Sequence, residues 1–351
     1  MAAKAVAEKQ LKVLGLDHGN VWVKGYGHNG TSPLLLPNQF IREDLLQTDP
    51  YFQSKLVLDT FSSNQYKEEN YLWGQDIYKA LNPINTFTSQ DRYMQKPYKL
   101  LSEFALAEMS QDNDEILLVT GVPSVQKGTK AEEQLKKVFE GTHVITKNDE
   151  EQVAKVKEVQ VLTQPLGTVM SIYLDDEGKV ADEEAGEEYI GILDAGGGTF
   201  DVDGVKEMDA QSDDRATFHM GMYKVYQNIA DWINRENPNA GATAKLVEFQ
   251  ILGDNPDTYK ISKRSSIDIK HPKDLYIRQY AEDVIPLINQ RWTNRDKFDR
   301  LALTGGAAKP LYPYLLEWEK DLILVDNSQI ANVIGFYRYG VFLRNSRLAL
   351  A

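Results

Sequence analysis

The chain has 351 residues, 42% of them hydrophobic, a length and apolar content that suit two cores better than one. It carries 52 acidic against 39 basic residues, a net charge of −13, which argues against holding DNA, RNA or an anionic membrane by charge. It has no cysteine, and this excludes disulfides, thiolate catalysis and cysteine-ligated zinc.

Met1–Gln10 is rich in Ala, Lys and Glu. It lacks the apolar core of a signal peptide and the bulky apolar face of a membrane-lying helix. No apolar run approaches the roughly 18–20 residues of a membrane span. The expectation is a soluble, cytoplasmic protein with no membrane partner. From Leu11 to Tyr26 a strand ends in Asp17, turns through His18-Gly19-Asn20 and returns with alternation at Val21, Val23 and Gly25. Lys24 stands four residues past the turn, within reach of a phosphate there, although an ordinary surface lysine is the commoner role. Gly25 to Gly30 matches the G-x-G-x-x-G pattern of dinucleotide sites. That motif must open a helix, and the following Thr-Ser-Pro-Leu-Leu-Leu-Pro cannot start one, so it reads as a hairpin turn.

Residues 34–94 mix short apolar runs with polar and aromatic residues, as a small inserted subdomain with its own strands would. Leu100 to Met109 has helical spacing, Ile116 to Thr120 reads as a buried strand ended by Gly121-Val122-Pro123-Ser124, and Lys130 to Phe139 as an amphipathic helix. A strand at Val159 to Leu162 runs through Gln164-Pro165-Leu166-Gly167-Thr168 into an apolar helix. Asp175 to Glu188 holds eight carboxylates in fourteen residues without ordered ligand spacing, and reads as a solvated linker.

Tyr189 to Val205 is the central stretch: a strand ending in Asp194, then Gly196-Gly197-Gly198, then alternation from Thr199. Glycines there can take positive φ and let a ligand meet the backbone. Successive N–H groups in such a turn bind anions, and Asp194 is placed to hold a hydrated Mg2+. A plain hairpin with a glycine tip explains the stretch alone equally well, and no Gly-Lys-Ser/Thr follows to make a Walker A loop. The second copy decides for a ligand: Leu16-Asp17-His18-Gly19 repeats Leu193-Asp194-Ala195-Gly196.

Beyond it, Phe218 to Trp232 reads as a helix, and 240–271 as a second insert with strand-like Lys245 to Leu252 and Ser266 to Ile269. Leu275 to Trp292 reads as a long helix. Leu301 to Leu303 is a strand that breaks at Thr304-Gly305-Gly306-Ala307 and starts a helix near Pro310, whose free N–H groups suit a nucleotide. This strand resembles Leu117 to Gly121. The order strand–Asp–Gly hairpin, insert, strand–Thr–Gly–helix occurs twice and implies an internal duplication. Two similar α/β domains would face each other across a cleft, with ligand at the carboxyl ends of their strands.

These residues resemble the nucleotide clamp of the actin, heat-shock chaperone and sugar-kinase superfamily over Leu11 to Arg344. Leu14 to Asn20 through Lys24 resembles its first phosphate loop, Leu193 to Asp201 the second, and Leu303 to Ala308 the adenosine loop. Within it, Val119 to Ser124, Gln164 to Thr168 and Asn332 to Tyr337 before Gly340 are similar to the ParM-type, plasmid-segregating bacterial actins. The resemblance implies an α/β, duplicated actin-like ATPase fold of two RNase H-like domains, 11–174 (insert 34–94) and 188–330 (insert 240–271), with 331–351 a C-terminal helix returning to the first.

The activity it implies is hydrolysis of ATP, or GTP, with Mg2+, coupled to a homopolymeric filament. The filament would segregate plasmid DNA through a DNA-binding adaptor at a centromere, without direct contact to nucleic acid. Gln164 and Asp194 would act on the attacking water, and Asp17 and Asp194 would hold the metal through water. Gly19, Asn20, Lys24, Gly196, Gly197, Gly198 and Thr199 would cradle phosphates, and Gly305, Gly306 and Ala307 the nucleoside. The rival is a small-molecule kinase or phosphatase on the same clamp, which wants a carboxylate base where Gln164 stands.

Overall fold

A computed structural model describes residues 11–27, 32–46, 56–66, 69–86 and 91–350. The N-terminal decamer, the His28–Gly30 end of the G-x-G-x-x-G match and parts of the first insert lie outside the described residues. The chain divides into two compact units, Met1–Glu183 with Asn332–Ala351, and Glu184–Ala331.

The first unit holds β1 (Lys12–His18), β2 (Trp22–Gly27), β3 (Leu34–Pro37), β4 (Gln39–Arg42), β5 (Asp59–Ser63), β6 (Tyr71–Trp73), β7 (Ile84–Asn85), α1 (Lys96–Met109), β8 (Glu115–Val122), α2 (Lys130–Phe139), β9 (Gly141–Lys147), β10 (Glu150–Thr163) and α3 (Gln164–Tyr173). Its ten strands form one sheet in the order β3-β2-β1-β8-β10-β9-β5-β6-β4-β7. Ile116 to Val119 of β8 are all fully buried, the unbroken apolar run of a central parallel strand. The insert extends this sheet through β9, and its aromatic residues Phe40, Phe61, Tyr71 and Trp73 pack on Phe104 of α1. β3 pairs antiparallel with β2, so the separate part of the insert begins at β4.

The second unit holds β11 (Tyr189–Ala195), β12 (Phe200–Lys206), β13 (Asp209–Phe218), α4 (Met222–Glu236), α5 (Ala244–Leu252), β14 (Thr258–Ser262), β15 (Ser265–Asp268), α6 (Lys270–Arg291), β16 (Arg300–Thr304), α7 (Ala308–Trp318) and β17 (Ile323–Leu324). Its main sheet runs β13-β12-β11-β16-β17. This is the pattern of β3-β2-β1-β8-β10: three antiparallel strands, then two more parallel to the third. The repeat seen in the sequence is thus a repeat of topology.

Two expectations change. Lys245 to Leu252 is helical, not a strand: Ala244, Val247 and Ile251 are the buried positions, at spacings of three and four, and the Thr243 hydroxyl caps the helix by accepting from the Leu246 N–H at 3.3 Å. Phe218 ends β13 rather than opening a helix, and α4 begins at Met222. β13 carries Asp209, Asp213, Asp214 and Arg215 and is largely solvent-facing, which hides a strand from an apolar pattern. The acidic segment after α3, read as a solvated linker, contains the boundary between the two units and opens with a structured turn. Asp175 Oδ1 accepts from the N–H groups of Glu177 and Lys179 at 3.0 and 2.8 Å. Asp176 accepts from Arg338 Nε at 2.8 Å and from the Tyr26 hydroxyl at 3.0 Å.

The last helix, α8 (Ala331–Ala349), explains why three separated motifs occur together. Phe336 fills the space that a Cβ at Gly121 or at Gly167 would need. Gly335 lies against the Gly167 carbonyl, too close for any side chain. The Thr168 hydroxyl donates to Asn332 Oδ1 at 2.5 Å. The motifs are one packing contact, of α8 on α3 and β8. Among the described residues no helix is long and apolar enough to cross a membrane.

Candidate nucleotide site

In the first unit β1 ends at His18, and the following loop is closed by Gly19 N–H donating to the Trp22 carbonyl at 3.0 Å. Asp17, 3% exposed, is the last residue but one of the strand. β1 and β10 lie on either side of β8, so the residue that opens α3 after β10 comes beside the end of β1. Gln164 is that residue, and its Nε2 donates to Asp17 Oδ1 at 3.3 Å across 147 positions of sequence. The cap position of α3 is Thr163, so the Gln164 amide is not spent on capping. Lys24 Nζ lies 3.7 Å from Asp17 Oδ2. Lys24, for which the sequence offered a phosphate contact or an ordinary surface position, is therefore the counter-ion of a buried carboxylate.

The loop is braced by residues that no local pattern announced. His18 places Nδ1 3.2 Å from the Ser102 hydroxyl and Nε2 3.2 and 3.1 Å from Asn38 Oδ1 and the Thr86 hydroxyl. Its ring stacks on Tyr98 at 4.0 Å. Burial, and then the positive charge of Arg92, lower its pKa to about 3, so it is a neutral part of the brace. Asn38 Nδ2 donates to the Gly19 carbonyl, and Arg92 donates to Asn20 Oδ1 at 2.8 Å. These partners lie 19 to 84 residues away, beyond the reach of any motif.

The second unit repeats the loop. Gly196 N–H donates to the Thr199 carbonyl at 2.9 Å, as Gly19 does to Trp22. The carbonyls of Gly196 and Gly197 accept from Met222 and Tyr223 at 3.1 and 2.9 Å, in the first turn of α4. Among the described residues the N–H groups of Gly197 and Gly198 meet no protein acceptor. They are the donors available to an anion. None of Gly196, Gly197 and Gly198 has positive φ, contrary to expectation. Close approach is what the loop demands: Gly221, capping α4, lies against Gly197 where a Cβ would meet backbone.

Gly305 does have positive φ, +97°, and a Cβ there would collide with Asp194 Oδ1. Asp194 pairs with Thr304 in the parallel ladder, and Ala307 N–H donates to the Ala195 carbonyl at 2.9 Å. The Gly305–Ala307 turn is thereby held against Asp194, and a Cβ at Gly306 would meet the Gln329 side chain in ordinary contact at 3.8 Å. The Thr199 hydroxyl donates to Asp201 Oδ2 at 2.7 Å and the Thr217 hydroxyl to Asp201 Oδ1 at 2.5 Å, so Thr199 is anchored by a carboxylate the motif reading did not single out.

The predicted residues thus gather in two sets, Asp17, Gly19, Asn20, Lys24 and Gln164 in one unit, and Asp194, Gly196 to Thr199 and Gly305 to Ala307 in the other. Among the described residues no group of three or more His, Asp or Glu could hold a metal ion.

The family described as actin-like proteins, N-terminal domain, matches residues 15–167, and the archaeal actin homologue MreB-like C-terminal domain matches residues 192–317. No curated protein matches the chain by sequence. Among solved structures, the apo psk41 ParM protein is similar with a TM-score of 0.74 at 24% identity, covering 96% of this chain and 99% of that one. A 15-stranded ParM filament from Clostridium botulinum matches with a TM-score of 0.69 at 20% identity, over 94% and 99%. Bacillus thuringiensis ParM with ATP matches with a TM-score of 0.69 at 17% identity, over 97% and 100%.

Proposed function

The chain belongs to the actin-like proteins, and from that premise we propose that it is a ParM-type bacterial actin. In this reading it binds and hydrolyses Mg·ATP or Mg·GTP, assembles into homopolymeric filaments, and moves plasmid DNA through an adaptor bound at a centromere. The observation that carries the nucleotide part is the pair of hairpin loops with one closing pattern, each following a strand-end aspartate. The ATP bound to the Bacillus thuringiensis protein and the filament of the Clostridium botulinum protein support the reading by likeness.

Gly197 and Gly198 would offer their N–H groups to phosphate, Asp17 and Asp194 would hold the hydrated ion, and Gln164 would orient water. The bound ion would neutralise charge developing on the phosphates. A kinase reading is the weaker one, because the amide of Gln164 cannot take a proton from an acceptor hydroxyl.

Asp17→Asn keeps an oxygen for the Gln164 amide and removes only the charge. Its affinity for ATP in the presence of Mg2+ should fall about tenfold or more by calorimetry, the size of a lost charged contact. With EDTA in place of Mg2+, parent and variant should converge. Equal affinities with Mg2+ present would remove Asp17 from the metal shell.

A further inference from the structure

We propose that Arg92 is a further phosphate-binding residue of the first hairpin, a guanidinium from the insert that favours a nucleoside triphosphate over the diphosphate. The inference rests on the nucleotide reading above and adds to it a residue outside every motif that suggested that reading.

Arg92 lies between the insert and α1, half-buried under aromatic rings. Its guanidinium carbon is 5.1 Å from the centre of the Tyr93 ring and 5.8 Å from that of Tyr98. One terminal nitrogen donates to Asn20 Oδ1 at 2.8 Å and the other to the Tyr93 hydroxyl at 3.3 Å. Its Nε is buried and has no acceptor. A guanidinium has five N–H groups, and among the described residues only two of these are used. Among the described residues Arg92 makes no ion pair. The nearest carboxylate acting on it through space is Asp17, whose oxygens already face Lys24 and Gln164.

A half-buried cation with no ion pair among the described residues has lost part of its water without a directly paired opposite charge to replace it, which is unfavourable. Arginine cannot escape by giving up its proton. Such a group is retained where an anion arrives to complete it. Here the anion has an evident seat: Arg92 holds the side chain of Asn20, whose own N–H meets no protein acceptor among the described residues. The turn and the guanidinium together offer backbone donors and a fixed positive charge, the combination that recognises phosphate. A field from one fixed charge acts more strongly on the more highly charged ligand, so the terminal phosphate gains most. The Tyr93 hydroxyl donates in turn to Gln126 Oε1 at 2.6 Å, which fixes the ring under the guanidinium.

The test compares the parent with Arg92→Gln and Arg92→Lys, using a non-hydrolysable ATP analogue and ADP, each with Mg2+, by calorimetry. Melting of each protein without nucleotide is followed in parallel. The glutamine variant should bind the ATP analogue about 10- to 100-fold more weakly, the range of a charge-assisted contact, while ADP affinity changes less than about threefold. Lysine should restore part of the difference. The ligand-free melting temperature should stay level or rise, since an unpaired half-buried charge has been removed. A glutamine variant that loses both ligands equally and melts earlier would make Arg92 a structural brace and overturn the proposal. Parent-like binding of both ligands would also overturn it, leaving the nucleotide reading intact. A parent that binds neither ligand would overturn that reading and this proposal with it.

Discussion

Gln164→Ala should slow phosphate release by about a hundredfold or more, roughly 3 kcal/mol in the barrier, while nucleotide affinity stays within a few-fold of the parent. The amide stands at the first residue of α3, half-buried, 3.3 Å from Asp17 Oδ1, and is not engaged in capping. On the proposed reading a neutral amide in that position would orient a water without deprotonating it, and phosphoryl transfer to water depends mainly on such positioning and on charge stabilisation. Removing it leaves the Asp17–Lys24 pair and both glycine loops in place. Filaments of the variant should outlast those of the parent, because the diphosphate state is rarely reached. Phosphate release and turbidity followed in one tube give the result. Parent-like release would mean that the water is held elsewhere, with Asp194 the next candidate.

The second large effect contrasts two glycines of the second unit. Gly221→Ala places a methyl where the Gly197 and Gly198 backbone lies. Overpacking of this kind costs about 1–3 kcal/mol, and relief requires the loop to move. The variant should melt earlier by several degrees and bind nucleotide at least about tenfold more weakly. Gly198→Ala, by contrast, meets nothing within 4 Å, and Gly198 does not have positive φ. It should melt as the parent does and still lose affinity, because its methyl would stand in the space proposed for phosphate. Calorimetry and melting curves on the pair separate loop position from ligand room. Undiminished binding by Gly198→Ala would remove phosphate from that side of the loop.

Much of the fold was legible because its strands and turns carry local signals. The two Asp–Gly hairpins announced themselves by alternation on either side of glycine, and the repeat of Leu-Asp-x-Gly pointed to the duplication that the sheet order shows. Lys130–Phe139 was read with its true bounds, because charge and apolar residues alternate at helical spacing there. What stayed hidden was set by tertiary partners. β13 is a charged, largely solvent-facing strand. Lys245 to Leu252 carries a run of apolar residues that suits either element until Thr243 caps it. Motif position singled out Gln164 as a residue at a strand-to-helix junction, but its bond to Asp17, 147 positions away, carried no signal in the sequence. The partners of His18 (Asn38, Thr86 and Ser102) and of Asn20 (Arg92) could not be seen, since each is an ordinary polar residue far away in the chain.

Nucleotide-driven assembly is the central claim, and sedimentation of the parent protein tests it most directly. Micromolar protein is incubated with Mg·ATP, with Mg·GTP, with ATP and EDTA, or without nucleotide, and spun at high speed while released phosphate is measured in the same samples. The protein should pellet with at least one Mg-nucleotide and stay in the supernatant in EDTA. A protein that releases phosphate steadily yet remains in the supernatant in every sample would contradict the account.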